Sequence, residues 1–148
     1  MIRTVTPLFL ALAICCGCSH NGTPVHFILP EGFDGPIRLI LDEAEGAEVT
    51  PTDGKYVYNI PASGVLRVTS FKPFQPLHVQ TASYDDGVTI PQDYETWTGP
   101  NGDAPSLGKD VVVFHGGGIS QRNDDPPVIT FFVGSTIDYE AWQQDQKP

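Results

Sequence analysis

The segment that most restricts the fold is residues 55–70, in which two β-prone stretches flank a short turn. Tyr56, Tyr58 and Ile60 recur at the two-residue period of a β-strand, and the segment ends in a second stretch rich in valine and leucine. Residues 61–64 between the two stretches contain the proline, serine and glycine that favour a tight turn. The sequence therefore predicts a β-hairpin over residues 55–70.

Short apolar stretches separated by glycine, proline and aspartate recur along the rest of the chain. The two most continuous stretches, residues 111–114 and 128–133, are predicted to be central strands that are buried on both faces. Residues 116–127 between them are predicted to form a loop, and residues 71–76, with two prolines, to cross between sheets. The other predicted strands are residues 25–29, 37–42, 77–83 and 88–90.

One helix is predicted, near the C-terminus. Ser135 can cap it, and Asp138 three residues later completes a spacing that resembles a capping box. Ile137, Ala141 and Trp142 are expected to dock the helix on a sheet. About eight short strands and a single helix predict a mainly β fold, specifically an antiparallel β-sandwich with one short C-terminal helix.

The N-terminal residues have the pattern of an export signal. Arg3 precedes an almost wholly apolar stretch, residues 5–14, and small residues follow it. A membrane-spanning helix takes about 20 apolar residues, so this stretch is too short to serve as one. The sequence therefore predicts that the protein leaves the cytoplasm.

The cysteines that end this stretch resemble those of the bacterial lipoprotein signal peptide, in which small residues precede a cysteine that becomes diacylated. We expect Cys18 to be the acylated residue, because the small Gly17 stands directly before it. Cys15 is the alternative, although the bulky Ile14 precedes it. An ordinary cleaved signal with incidental cysteines is the other interpretation of the same pattern.

This resemblance implies a signal peptide of residues 1–17, a tether of residues 18–24 and a single β-rich domain of residues 25–148. The protein is then a membrane-anchored lipoprotein, exported to the periplasmic or outer-membrane face of the envelope and held there by N-terminal acyl chains. No cysteine follows Cys18 in the sequence. The exported domain is therefore expected to be held together by its core without a disulfide.

The chain is strongly acidic, with 18 Asp+Glu against 8 Lys+Arg and a formal net charge of −10. A surface of this charge repels phosphate backbones and anionic lipid headgroups. We therefore expect no nucleic-acid partner, and we expect membrane contact to come from the acyl chains.

Residues 111–118 resemble the strand and the HGGG oxyanion loop of hormone-sensitive-lipase-type esterases, with His115 as the histidine. Such an enzyme also needs a serine nucleophile in a G-x-S-x-G turn, and the stretch from Gly118 to Arg122 lacks the second glycine. The sequence thus favours a glycine-rich hairpin loop and predicts no catalytic residue. A small metal-dependent or esterase-like envelope hydrolase that uses His115 is the alternative.

Metal ligation and ligand stacking are the remaining kinds of site to consider. His26, His78 and His115 do not have the spacing of metal ligands. The acidic pairs at residues 85–86 and 124–125 are typical of turns, so neither a metal nor a cofactor is expected. Tyr94 and Trp97 stand beside acidic residues in a long segment without periodicity. These two aromatics form a candidate ligand-binding loop for a sugar or a peptide.

Two resemblances bear on the whole domain. Residues 27–30, Gly32, Gly35, 55–70 and 131–134 resemble a family of uncharacterised bacterial exported domains, a domain of unknown function, and this resemblance implies a fold and a location but no activity. Residues 54–65 more loosely resemble transthyretin-like β-sandwiches, which are usually accessory or binding modules. We expect a non-catalytic binding or structural module with a protein or glycan partner, and we expect its specific function to lie in residues 43–48 and 91–110.

Overall fold

A computed structural model describes residues 22–76, 78–92 and 111–146. Within these residues, eight strands form two four-stranded sheets, and one helix follows the last strand. Sheet 1 has the strand order β3-β1-β5-β6, and sheet 2 has the order β4-β2-β8-β7. The elements are β1 Val25–Leu29, β2 Gly35–Leu41, β3 Tyr56–Asn59, β4 Val65–Val68, β5 Gln80–Tyr84, β6 Thr89–Ile90, β7 Val113–Ser120, β8 Val128–Gly134 and α1 Thr136–Asp145.

Two arches organise the first half of the domain. In each arch, one strand enters sheet 1, a short corner follows, and the next strand enters sheet 2. The first arch is β1, residues 30–34 and β2, and the second is β3, residues 60–64 and β4. The arches stack in parallel, because β3 pairs with β1 and β4 pairs with β2 in the same direction.

The corners of the two arches touch at Gly64. Its carbonyl accepts a 2.8 Å hydrogen bond from the N–H of Arg38 in β2. A Cβ atom at Gly64 would lie 2.5 Å from the carbonyl oxygen of Pro36 and 3.1 Å from the Phe33 ring. Gly64 also has a φ of +70°, a conformation that L side chains rarely adopt, so this contact requires glycine.

The hairpin predicted over residues 55–70 is wrong. Its turn is present, with the Gly64 N–H donating to the carbonyl of Pro61 at 2.8 Å, but β3 and β4 lie in different sheets. This arrangement lets Tyr58 of β3 and Val68 of β4 bury their side chains in one core from opposite sheets. A local pattern of two strands and a turn fits a hairpin and an arch equally well.

The prediction of a mainly β fold of about eight strands with a C-terminal helix is confirmed for the described residues, whereas a wholly antiparallel pairing is not confirmed. The pairs β1–β3, β1–β5 and β2–β4 are parallel. The pairs β2–β8, β5–β6 and β7–β8 are antiparallel. The pairs β1–β3 and β2–β4 are parallel because the two arches stack in the same orientation, which places their corresponding strands side by side.

Aromatic side chains from both sheets form the centre of the core. The ring of Phe27 in β1 is fully buried, and its centroid lies 4.8 Å from that of Phe131 in β8 and 5.3 Å from that of Phe114 in β7. Tyr58 stacks on the same ring at 5.6 Å. Each of these rings removes a large apolar area from water, so the two sheets are held together chiefly by this cluster.

The helix α1 begins as the sequence predicts but docks through other residues. The Ser135 hydroxyl accepts a 3.2 Å hydrogen bond from the N–H of Asp138, which confirms the predicted cap. Tyr139 stacks on His115 of β7 at 4.1 Å, and this contact sets the rotation of the helix. Ile137 and Ala141, expected to dock, are exposed instead, while Trp142 packs on Phe132 as expected.

The glycine run lies inside a strand. The strand predicted over residues 111–114 is present in part, as the start of β7, but it is not central, because β7 is the last strand of sheet 2 among the described residues. The loop predicted over residues 116–127 is wrong for its first five residues, because β7 continues to Ser120. A Cβ atom at Gly117 would lie 2.1 Å from the carbonyl oxygen of Thr130 in β8. The glycine is therefore required by this close approach, at the irregular register between His115 and Gly118.

Two further predictions are confirmed. The strand β8 is central in sheet 2, and its side chains at Ile129, Phe131, Phe132 and Val133 are buried. Residues 71–76 carry the chain from β4 in sheet 2 to β5 in sheet 1 and contain a short 3-10 helix, Lys72–Phe74. In the part of the chain that the structure describes, no helix is long and apolar enough to cross a membrane.

Candidate functional site

A pocket of about 210 Å³ opens at the end of the domain where β1 and β3 begin. One wall is the loop after β2, and the facing wall is the segment after β4. Val49, Tyr56 and Pro73 are its apolar and aromatic lining residues, and the walls add two residues with hydroxyl groups and two of opposite charge. We call this site the end pocket.

Hydrogen bonds hold the first wall in place. The carboxylate of Asp42 accepts a 3.0 Å hydrogen bond from the N–H of Glu45 and one of 3.2 Å from the guanidinium of Arg67. The N–H of Glu45 and, more weakly, Arg67 hold the pKa of Asp42 below its ordinary value. The acidic loop, residues 43–48, is therefore held beside β4 where it begins.

The same loop is then joined to the end of β4 by its backbone. The N–H of Ala47 donates to the carbonyl of Arg67 at 2.9 Å, and the N–H of Thr69 donates to the carbonyl of Ala47 at 3.2 Å. Ala47 thereby forms a parallel bridge with Val68. The next residue, Glu48, is positioned at the pocket by this backbone pairing.

The facing wall is anchored to the core. The Ser70 hydroxyl accepts a 3.1 Å hydrogen bond from the N–H of Lys72, the first residue of the 3-10 helix. Pro73 is buried, and Phe74 lies 5.4 Å from the Tyr58 ring, centroid to centroid. These contacts fix the backbone that presents Thr69, Ser70 and Lys72 to the pocket.

Tyr56 connects the pocket to the N-terminal segment of the domain. It is the first residue of β3 and is aligned with Val25, the first residue of β1. Its N–H donates a 2.8 Å hydrogen bond to the carbonyl of Pro24. Because β1 and β3 are parallel, the pocket lies at the end of the domain that residues 22–24 join.

The two charged side chains of the pocket are not neutralised by each other. Glu48 and Lys72 both line it, both are exposed, and within the described residues no ion pair joins them. The half-buried hydroxyls of Thr69 and Ser70 stand on the same wall as Lys72. The arrangement can offer a carboxylate acceptor at one point and an ammonium donor at another.

The sequence indicated this site only in part. The loop of residues 43–48 was expected to be functional, and the structure places its last two residues, Ala47 and Glu48, in the pocket. Tyr56, Thr69, Ser70 and Lys72 were not identified as site residues. Their only sequence signal was the proline-rich crossing after β4, which does not show which side chains meet. Cys15, Cys18, Tyr94 and Trp97 lie outside the described residues.

The structure places the HGGG histidine away from this pocket. His115 is buried, with 2% of its surface exposed, and its Nε2 lies 3.3 Å from the carbonyl oxygen of Gly134. The three glycines after it continue β7, so the favoured expectation of a hairpin loop is wrong, and so is the arrangement of an oxyanion loop. His115 instead supports α1 through its stacking on Tyr139.

The histidines do not come together. The Nδ1 of His78 lies 2.7 Å from the carbonyl oxygen of Pro76, and its ring meets Phe74 edge to face. His26 lies on the outer face of sheet 1, and His115 under α1. Across residues 22–76, 78–92 and 111–146, no group of three or more His, Cys, Asp or Glu is placed to hold a metal ion.

A serine–histidine pair on sheet 1 was missed by the sequence analysis. The alignment of β1 with β5 brings His26 Nε2 to 3.1 Å from the Ser83 hydroxyl and His26 Nδ1 to 2.8 Å from the Thr81 hydroxyl. Burial, and secondarily the charge of Lys55, lowers the pKa of His26. The partners are more than fifty residues apart, so no spacing in the sequence could reveal them.

Comparisons with known proteins give little further information. No protein-family model matches the chain, and no curated protein matches it. A solved structure described as "Putative Lipoprotein from Bacillus anthracis" is similar over 76% of this chain and 70% of that one. Its TM-score is 0.43 and its identity 11%, a similarity too weak to support an argument. The two family resemblances of the sequence therefore stay predictions.

Proposed function

We propose that this protein is a lipid-anchored, non-catalytic binding module of the bacterial envelope, with the two sheets as a sandwich-like scaffold. In this proposal residues 1–17 are removed, acyl chains on Cys18 hold the protein in a membrane, and residues 18–24 tether the domain. The ligand or partner is bound at the end of the domain nearest the membrane.

The observation that supports this proposal is the position of the end pocket. Its Tyr56 is hydrogen-bonded to Pro24, the last residue before β1, so the site adjoins the segment expected to lead to the anchor. From Cys18 to Pro24 an extended chain reaches at most about 20 Å. The pocket would then face the membrane surface across a short gap.

Metabolic labelling with an alkyne fatty acid tests the anchor. The full-length protein is expressed in a Gram-negative host, and wild type is compared with Cys18→Ser and with Cys15→Ser as the matched control. We expect Cys18→Ser to lose the label and to leave the membrane fraction, because its acyl acceptor is gone. Cys15→Ser should keep both properties.

Retention of the label and of membrane association in Cys18→Ser would contradict the choice of Cys18. If Cys15→Ser alone lost them, Cys15 would be the acylated residue. Absence of the label from the wild-type protein would remove the anchor from the proposal, whereas the end pocket would still be testable in the unanchored protein.

One observation favours a second candidate, a small envelope hydrolase. The His26 Nε2 and the Ser83 hydroxyl are within hydrogen-bonding distance, as a base and a nucleophile must be. The other ring nitrogen faces the Thr81 hydroxyl, which is a weaker orienting group than a carboxylate. Turnover of p-nitrophenyl acetate that is lost in Ser83→Ala but kept in Thr81→Ala would support this candidate over the binding module.

A further inference from the structure

We propose that the end pocket binds a small zwitterion, with the ammonium group of the ligand at Glu48 and its anionic group at Lys72. This inference rests on the proposed binding function and adds the chemical class of the ligand. Amino acids, short peptides and ethanolamine phosphodiesters all have this chemistry.

The absence of an ion pair between two oppositely charged residues of one pocket carries the inference. Glu48 and Lys72 both line the pocket, and within the described residues no ion pair joins them. Each therefore retains its capacity to pair with an opposite charge that enters the space between them. A ligand with an ammonium at one end and an anion at the other satisfies both charges at once.

The size of the pocket limits the ligand to a small molecule. The volume of about 210 Å³ is below the range of about 300–1,000 Å³ that is typical of pockets for drug-sized ligands. The pocket therefore suits a smaller molecule, of the size of an amino acid or a dipeptide. The apolar surface of Val49 and Pro73 can contact the carbon atoms between its charged ends, and the hydroxyls of Thr69 and Ser70 can bond to its anionic oxygens.

The charge of the whole protein favours a zwitterion over a simple anion. The formal net charge is −10, so an anion approaching Lys72 is repelled by the protein, and Glu48 in the same pocket adds to this repulsion. A molecule of zero net charge is not repelled by the net charge of the protein. If it carries an ammonium group, Glu48 attracts that group. A simple cation would gain at Glu48 but meet the ammonium of Lys72.

Titration of the detergent-extracted full-length protein with matched ligands tests this assignment. The zwitterions are L-alanine, L-alanyl-L-alanine and the phosphodiester 2-aminoethyl methyl phosphate. N-acetyl-L-alanine keeps only the anionic group, and L-alaninamide keeps only the ammonium. Backbone NMR signals of Thr69 and Ser70 report binding. We expect at least one zwitterion to bind with a Kd of about 1 mM and each matched single-charge analogue to bind about fivefold more weakly.

Two variants assign each end of the ligand. Glu48→Gln should abolish the advantage of the zwitterion over N-acetyl-L-alanine, because the ammonium no longer meets a carboxylate. Lys72→Gln should abolish its advantage over L-alaninamide. Glu45→Gln and Arg122→Gln change exposed charges that do not line the pocket, and they should leave both ratios unchanged.

The pattern among the zwitterions separates the two possible sources of the ligand, free amino acids or peptides and lipid headgroups. Tighter binding of alanine or dialanine indicates amino acids or peptides, and tighter binding of 2-aminoethyl methyl phosphate indicates lipid headgroups. The inference is overturned if no zwitterion saturates the signals by about 50 mM, or if the single-charge analogues bind equally well. Those results would leave the anchor on Cys18 and the binding of a macromolecule untouched, since fatty-acid labelling and cross-linking in the envelope test them separately.

Discussion

Gly64 lies against Pro36 so closely that a Cβ atom on the glycine would stand 2.5 Å from the proline carbonyl oxygen. The contact joins the corner of the second arch to the start of β2 in the first. Because Gly64 belongs to the connection between sheet 1 and sheet 2, this single contact aligns both sheets.

Replacing Gly64 by alanine should therefore destabilise the domain strongly. Gly32 is a matched control, because it has the same φ of +70° but no atom within 4 Å of its hypothetical Cβ. We expect Gly32→Ala to lower the free energy of unfolding by about 1 kcal/mol through backbone strain alone. Gly64→Ala should lower it by about 3 kcal/mol, because the clash adds to the strain. If urea unfolding showed equal losses of unfolding free energy in the two variants, the contact between the corners would be contradicted.

Replacing Tyr58 by phenylalanine should stabilise the folded domain. Its side chain is 1% exposed, and its hydroxyl has no hydrogen-bond partner among the described residues. Tyr58→Phe removes an unsatisfied polar atom and keeps the ring that stacks on Phe27, so we expect a gain of about 1 kcal/mol in unfolding free energy. The control Tyr84→Phe loses a hydroxyl that donates to the Phe33 carbonyl at 3.4 Å, and it should be neutral or slightly destabilising.

The same residue predicts a loss of stability in alkaline solution. Burial, and secondarily Tyr56, raises the pKa of Tyr58 far above its ordinary value of about 10. Above pH 10 the unfolded chain loses this proton while the folded chain keeps it, so stability falls as the pH rises. The fall between pH 10 and pH 11 should be smaller in Tyr58→Phe than in wild type. Identical pH profiles of the two proteins would contradict this origin.

The cap of α1 should control the order of the aromatic layer on sheet 2. Ser135→Ala loses the hydrogen bond to the N–H of Asp138, and we expect a cost of about 1 kcal/mol. Fraying of the first turn should then weaken the stacking of Tyr139 on His115. Near-ultraviolet circular dichroism and helix amide exchange measure this loss. Ser135→Thr, which keeps a hydroxyl that can accept from the N–H of Asp138 and donate to its carboxylate, should recover most of both signals.

His26 should titrate below its ordinary pKa of about 6.5. Burial is the larger cause and the charge of Lys55 the smaller, so Lys55→Gln should raise the pKa only in part. Because the folded pKa is the lower one, the contribution of the neutral ring to stability is complete above pH 6.5 and is lost as the pH falls through the folded value. NMR titration of the imidazole C–H signals checks this, and a pKa at or above 6.5 would contradict it.

Sequence patterns predicted the elements better than their partners. The first strand, β8, the crossing after β4 and the Ser135 cap follow from local periodicity and capping chemistry, which act over a few residues. The pairing of β3 with β1 and of β4 with β2 depends on where Tyr58 and Val68 find a common core. No local signal distinguishes a turn within one sheet from a corner between two.

The glycine run and the end pocket show the same limit. Consecutive glycines usually indicate a loop, but Gly117 is needed because β8 approaches it closely, and that partner is distant in sequence. The pocket combines residues after β2, at the start of β3 and after β4. Of these three segments, only the acidic loop was expected to be functional. A cluster of charged residues is visible in a sequence, whereas the convergence of three segments is not.

The position of β1 also determines how the domain responds to tension. This strand lies between β3 and β5 in sheet 1 and runs parallel to both. A force applied through residues 22–24 acts along β1, so the hydrogen bonds to both neighbours are loaded in shear together and are not opened one after another. The position of β1 therefore gives the domain mechanical resistance to a pull from its N-terminal side.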